Sequence, residues 1–224
     1  MLIRRKRYLQ VALNSSLEDA HNIISSLPPS DRIIIEAGTP LIKRYGATAI
    51  SSIRSWWSQK ISGLNIVPYV VADLKTMDRG ETEVAIARES GASAAIALAQ
   101  APVETINAFI ASCKKFNIDS MVDMMNVDQP VKVMRKLKLL PDVTILHRGV
   151  DEETFNKDKP IPYLQINKIR ASYNTLISVA GGDTIREVQR AIFNDANIVV
   201  VWKEFYQSSA HTGKLAEEFL KQIK

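Results

Sequence analysis

The chain has 224 residues, of which 46% are hydrophobic and 24% charged, and its formal net charge is +5. That size and apolar content suit one large domain over residues 1–224, and α/β barrels commonly run this long as one unit. No apolar run approaches the roughly 18 residues of a membrane span, and the basic N-terminus Met1-Leu2-Ile3-Arg4-Arg5-Lys6-Arg7 lacks the apolar core of a signal peptide.

The single cysteine, Cys113, excludes an internal disulfide. The cytoplasm is therefore the expected compartment. Three histidines spread along the chain make no zinc motif. The basic N-terminal run has no aromatic interleaving and no nucleic-acid motif beside it, so a solvated lead-in to the first strand is expected.

In chain order, β-rich runs alternate with helical patterns, as in βα units on a parallel sheet. The first run is Tyr8 to Leu13, with a helix from about Leu17 to Leu27 capped by Ser15 or Ser16. The second is Arg32 to Glu36, followed by helical material from Leu41 to about Lys60. Trp56 and Trp57 fall late in that helix and read as packing residues. The third run is Asn65 to Ala72, with a helix from about Asp78 to Glu89. The fourth is Ser93 to Ala99, with a helix from Val103 to Phe116, and the fifth is Ile118 to Asp123, with a helix from about Gln129 to Leu139. The sixth is Val143 to His147, followed by a polar stretch and a helix ending near Tyr173. The seventh is Leu176 to Ala180, with a helix from about Thr184 to Asn194, and the eighth is Ile198 to Val201, with a last helix from about Ser208 to Ile223.

Eight strand–helix units predict an α/β fold, a (β/α)₈ TIM barrel. A doubly wound open sheet is the alternative, but the chain has neither G-x-G-x-x-G nor a P-loop.

In such a barrel the chemistry sits at the C-terminal strand ends. Those ends read Asn14, Glu36, Asp73 with Lys75, Asp123, His147, Gly181-Gly182 and Trp202-Lys203. Along a strand alternate side chains share a face, which puts Val71, Asp73 and Lys75 together. A carboxylate and an ammonium there are costly in a core but reasonable at a cavity rim. A surface ion pair on an edge strand is the plainer reading of the same spacing.

Glu36 and Asp73 belong to neighbouring strands. Two carboxylates in one mouth suit Mg²⁺, with Mn²⁺ as an alternative, because such ions favour oxygen and keep waters for a substrate. Without a metal, Lys75 would neutralise one of them. His147 is the histidine at a strand end and suits general-base work near neutral pH. A purely structural histidine is the competing reading. Gly181-Gly182 before a helix exposes backbone N–H groups that can hold a phosphate, with Lys203 adding charge, although a tight turn has the same signature.

Several stretches together carry a family resemblance. Ile35-Glu36-Ala37-Gly38-Thr39-Pro40, Ala72-Asp73-Leu74-Lys75-Thr76-Met77-Asp78, Val122-Asp123-Met124-Met125-Asn126-Val127 and Val179-Ala180-Gly181-Gly182 resemble the orotidine 5′-phosphate decarboxylase superfamily. Within it the pattern is most similar to the 3-hexulose-6-phosphate synthases, particularly the archaeal form often fused to a formaldehyde-activating domain. The nucleotide decarboxylases carry lysine where this chain has Glu36. The ketogulonate-phosphate decarboxylases carry arginine where it has Val150, and His147-x-Gly149-x-Asp151 looks like the synthase pattern.

The resemblance implies an aldol reaction between ribulose 5-phosphate and formaldehyde through an enediolate. It implies metal binding by Glu36 and Asp73, charge stabilisation by Lys75, proton transfer by His147 and substrate hydrogen bonds from Asp123. It also implies a homodimer in which Asp78 reaches the partner subunit's site. Three positions depart from the family pattern. Asn14 replaces an aspartate, keeping hydrogen-bonding capacity toward substrate without the charge. Asp183 follows the glycine pair, and Trp202-Lys203 stands where small residues approach the phosphate. These departures leave two further readings: the same chemistry on another sugar, or a weakly active paralogue that serves as a binding subunit.

Overall fold

The computed structural model describes residues 1–156, 158–182, 184–203, 205 and 211–223. Eight parallel strands close in sequential order into a barrel: β1 (Tyr8–Leu13), β2 (Ile33–Ala37), β3 (Val70–Thr76), β4 (Ala94–Leu98), β5 (Asp119–Asp123), β6 (Val143–His147), β7 (Leu176–Ala180) and β8 (Ile198–Val201). The last strand pairs with the first through Tyr8–Ile198 to Val11–Val201, so the sheet has no edge.

The strand alternation divides the core into two shells. Leu9, Val11, Leu13, Ile33 and Ile35 point outward against the helices. Tyr8, Ala12, Ile34, Val71, Met121, Ile145 and Val200 fill the barrel interior. Period-two geometry then fixes the next inward positions. Glu36 follows Ile34, Asp73 follows Val71, Asp123 follows Met121, His147 follows Ile145 and Trp202 follows Val200. The apolar interior therefore delivers its polar residues to one end of the barrel.

The helices differ from expectation in instructive ways. Helix α1 (Leu17–Ser26) is capped by Ser16, whose Oγ accepts from Asp19 N at 3.1 Å. The single helix expected over Leu41–Lys60 is two, α2 (Thr39–Tyr45) and α3 (Ala47–Lys60). Gly46 separates them with φ 61° and ψ −146°, a backbone conformation open to glycine. The third strand begins at Val70 rather than Asn65 and runs on to Thr76. Helix α4 (Gly80–Glu89) starts two residues after Asp78, because Arg79 at φ 55° is left-handed.

Helix α5 spans Val103–Lys115, and α6 (Pro130–Met134) is shorter than expected. The polar stretch after β6 holds a short helix, α7 (Val150–Phe155), before α8 (Leu164–Ser172). Helix α9 (Ile185–Phe193) and α10 (Thr212–Gln222) complete the ring. The expected start of the last helix at Ser208 lies outside the described residues. Trp57 is fully buried and Trp56 packs against the outer shell, as packing residues do. Cys113 is buried, and burial pushes its thiol well above the ordinary range. No helix among the described residues is long and apolar enough to cross a membrane.

Candidate active site

A cavity of about 600 Å³ opens at the C-terminal end of the barrel. Of the residues singled out from sequence, Asn14, Glu36, Asp73, Lys75, Asp123, His147, Gly181 and Trp202 line it. Lys203 does not, and neither does Asp78, which is exposed beside α4 on a separate depression shared with Arg79 and Glu104. Gly182 is buried, and a β-carbon there would meet Ile161 and Glu187 at 2.9 Å. Asp183 lies outside the described residues.

Four charged groups form a continuous chain across the mouth. Lys75 Nζ lies 3.1 Å from Asp73 Oδ2 and 3.3 Å from Asp123 Oδ2. His147 Nδ1 lies 2.7 Å from the same Asp123 oxygen. Backbone N–H of Met125 donates to the other Asp123 oxygen at 2.9 Å. Thr39 Oγ1 stands 2.8 Å from Asp73 Oδ2. Strand alternation alone does not bring Lys75 here: the β3–β4 register shifts between Ala72 and Thr76, and Lys75 adopts φ 46°. A lysine in the left-handed region marks a local constraint that aims its side chain.

The charges tune one another. Burial works against the Lys75 ammonium, but Asp73, Asp123 and Glu36 outweigh it and raise its pKa, so it stays charged. Burial also opposes ionisation of Asp123, yet His147 and Lys75 hold its pKa below the usual range. His147 is raised, burial being overcome by Asp123. Glu36 behaves differently. Burial, and then the nearby Asp73 charge, push it up to about 7.

The Glu36 environment suits a cation. Gln10 Nε2 donates to the Glu36 carboxylate, and Gln10 Oε1 is buried without a partner among the described residues. An orphan acceptor beside two crowded carboxylates is an arrangement that added positive charge would relieve. No group of three or more His, Cys, Asp or Glu among the described residues is disposed to hold a metal. A two-carboxylate site fits an ion that keeps several water or substrate ligands, as Mg²⁺ does.

The far side of the mouth is built by β6, β7 and β8. Gly181 has φ 95°, and a β-carbon there would stand 2.2 Å from Arg148 O. Close approach of the Arg148 backbone therefore demands glycine at this position. Arg148 Nη2 donates to Gly181 O at 2.7 Å. Lys203 pairs with Glu153 at 2.5 Å and sits 5.5 Å above the Trp202 ring. Gln10, Thr39, Arg148 and Glu153 escaped the sequence reading as site residues. Gln10 had a signal, being one amide inside the apolar run Tyr8 to Leu13. The others follow strands, where sequence gives no direction for the side chain.

Comparison with known proteins agrees with the barrel fold. The chain is 36% identical over 221 residues to a protein of Methanocella arvoryzae named "Bifunctional enzyme Fae/Hps", covering 97% of this chain and 53% of that protein. It is 38% identical over 218 residues to a protein of the same name from Methanococcoides burtonii. The chain thus spans about half the length of the curated relatives it matches. Among solved structures, a 3-hexulose-6-phosphate synthase from Salmonella typhimurium is similar with a TM-score of 0.84 and 26% identity, covering 96% of this chain and 98% of that one. The profile of the orotidine 5′-phosphate decarboxylase / HUMPS family matches residues 7–217. With that match over nearly its whole length, the chain belongs to the orotidine 5′-phosphate decarboxylase / HUMPS family.

Proposed function

We propose that this chain is an Mg²⁺-dependent aldehyde-lyase that joins formaldehyde to ribulose 5-phosphate, giving 3-hexulose 6-phosphate, and catalyses the reverse cleavage. The observation that carries this reading is the Asp73–Lys75–Asp123–His147 chain beside Glu36 in one cavity. Similarity to a solved 3-hexulose-6-phosphate synthase supports it.

Glu36 and Asp73 would hold the ion, which when bound would polarise the ketose carbonyl and acidify the C1–H bond. Asp123 fixes His147 through Nδ1, leaving Nε2 to exchange a proton. Neutral His147 takes the C1 proton, and the resulting enediolate carries negative charge onto its oxygens. The Lys75 ammonium, already charged and held by two carboxylates, stabilises that charge without reorganising. C1 then bonds to the formaldehyde carbon, and the imidazolium returns its proton to the formaldehyde oxygen. Atoms and charge balance, and His147 ends neutral. Asn14 and Asp123 would bind substrate hydroxyls, while Gly181, Gly182 and Lys203 would serve the phosphate end. A homodimer completes the proposal, with Asp78 serving the partner subunit's site.

Purified protein with Mg²⁺ should consume ribulose 5-phosphate only when formaldehyde is added. Absence of that consumption in folded protein would sink the assignment. Trp202 on the cavity wall favours a second reading, the same enediolate chemistry on a different ketose. A screen of sugar phosphates against unphosphorylated ketoses separates the two.

A further inference from the structure

At the β6–β8 side of the cavity, one carboxylate of the chain holds two cations. Glu153 Oε1 lies 3.6 Å from Arg148 Nη2, and Glu153 Oε2 lies 2.5 Å from Lys203 Nζ. Arg148 is nearly buried, with 11% of its side chain exposed. Its Nε is buried and has no partner among the described residues. Arg148 also reaches Glu187 Oε1 at 3.4 Å, but Glu187 is committed to the first turn of α9. There it accepts from Thr184 N at 3.2 Å and Thr184 Oγ1 at 3.0 Å. Glu153 carries no such second duty in the contacts described. Both Arg148 and Glu153 line the cavity, and Lys203 reaches Glu153 from just outside that lining, next to the lining residue Trp202.

A carboxylate bridging a buried guanidinium and an ammonium at a cavity wall has the contacts that a bound anion would make. We infer that Glu153 occupies the seat of the substrate's phosphate and must be displaced from Arg148 and Lys203 when substrate binds. This inference rests on the sugar-phosphate reading above and adds a specificity-determining residue to it.

Displacement has a chemical consequence. A monoanion exchanges one negative charge for another and gains little from the two cations. A phosphate monoester, carrying about −1.5 to −2 at neutral pH, replaces the single charge with a larger one and three acceptor oxygens. A neutral sugar end group cannot compete at all. Glu153 thus sets a threshold that favours dianionic substrates over uncharged ones. It also gives both partly buried cations a shared anionic neighbour before substrate arrives, which offsets part of the cost of holding charge there.

Calorimetric binding of inorganic phosphate to the wild type, Glu153→Gln and Glu152→Gln tests this. The inference expects Glu153→Gln to tighten phosphate binding about tenfold, the loss of one charged competitor. Glu152→Gln, which removes the adjacent carboxylate that pairs with Lys159 instead of with Arg148 or Lys203, should change it less than about twofold, as expected of a solvent-screened charge. Structural damage at this wall would weaken binding, so tightening is the diagnostic sign. Unchanged or weaker phosphate binding by folded Glu153→Gln would overturn the inference, as would equal tightening in both variants or no phosphate binding by either protein. If Glu153→Gln does not fold, Glu153→Asp, which withdraws the charge by one methylene, should tighten phosphate binding as well, and failure to do so has the same consequence. Phosphate binding requires no turnover, so the result stands apart from the formaldehyde assay that tests the aldol reaction.

Discussion

Asp119 and Glu36 are both buried carboxylates inside one barrel, 3% and 6% exposed, and they sit at opposite ends of it. Asp119 opens β5 at the closed end. Tyr69 OH donates to its Oδ2 at 2.6 Å, Leu2 N donates to the same oxygen at 3.0 Å, and the N-terminal ammonium stands 3.9 Å away. Burial raises its pKa, while these donors pull the other way. Glu36 ends its inward series at the open end, where its crowding neighbour is the carboxylate of Asp73 and an amide oxygen of Gln10 has no partner among the described residues. Burial alone therefore does not mark a site. What separates the two ends is whether the buried charge is saturated by donors or left crowded against like charge beside a cavity.

The sharpest way to break this comparison is at the open end. Lys75→Ala should lower kcat/KM of the proposed aldol reaction by about 10³-fold, the scale on which preorganised charge stabilisation acts. Steady-state kinetics on protein with an unchanged circular dichroism spectrum would check it. Retention of near-normal turnover would remove Lys75 from the charge-stabilising role.

The next largest effect is on pH-dependent stability. In metal-free protein the folded Glu36 carboxyl titrates near 7 against an unfolded value of 4.5, so between those values the folded chain retains a proton that the unfolded chain has released. Folding stability therefore falls as pH rises through that window, by up to about 3 kcal/mol from this one group. Denaturant melts from pH 5 to 8, compared with Glu36→Gln, should show a flatter profile in the variant. A wild-type profile with the same slope as the variant would contradict the raised pKa.

The closed end should respond in stability and not in rate. Asp119→Ala leaves Tyr69 OH and Leu2 N without their acceptor and should cost about 2 kcal/mol, the scale of stranded buried donors. Its kcat/KM should stay within about twofold of wild type, as expected for a distant residue with no shared partners. Urea melts and kinetics on the same preparation decide this, and a large rate loss at unchanged stability would erase the distinction between the ends.

The smallest effect concerns the ion. Mg²⁺ at about ten times its Kd should stabilise the folded chain by about 1.4 kcal/mol. That gain should vanish in Glu36→Gln and persist in Asp119→Asn. A thermal melt series with Mg²⁺ and with chelator reads it directly, and equal stabilisation of all three proteins would detach the ion from Glu36.

Much of the frame was legible in the linear sequence. The period-two runs ending in Glu36, Asp73, Asp123 and His147 forced those side chains inward at one end once the sheet closed. What alternation could not supply was any feature set by a local departure from it. Gly46 splits a helix, and Arg79 delays one, through left-handed backbone that the hydrophobic pattern does not record. Lys75 reaches its two carboxylates through a strand irregularity rather than through the regular face assumed for it. Trp202 lines the cavity because it is two residues beyond Val200 on the inner face, a placement that rested on where the last strand began.

The sequence by itself determined the barrel, the order of its strands and the residue types at their ends, because strand periodicity and chain order are local properties. Only the tertiary structure decided which of those residues meet. The convergence of Lys75 and His147 on one oxygen of Asp123, and the reach of Lys203 to Glu153, joins segments 48, 24 and 50 residues apart. Closing the barrel places them within hydrogen-bonding range, and burial there sets their charges.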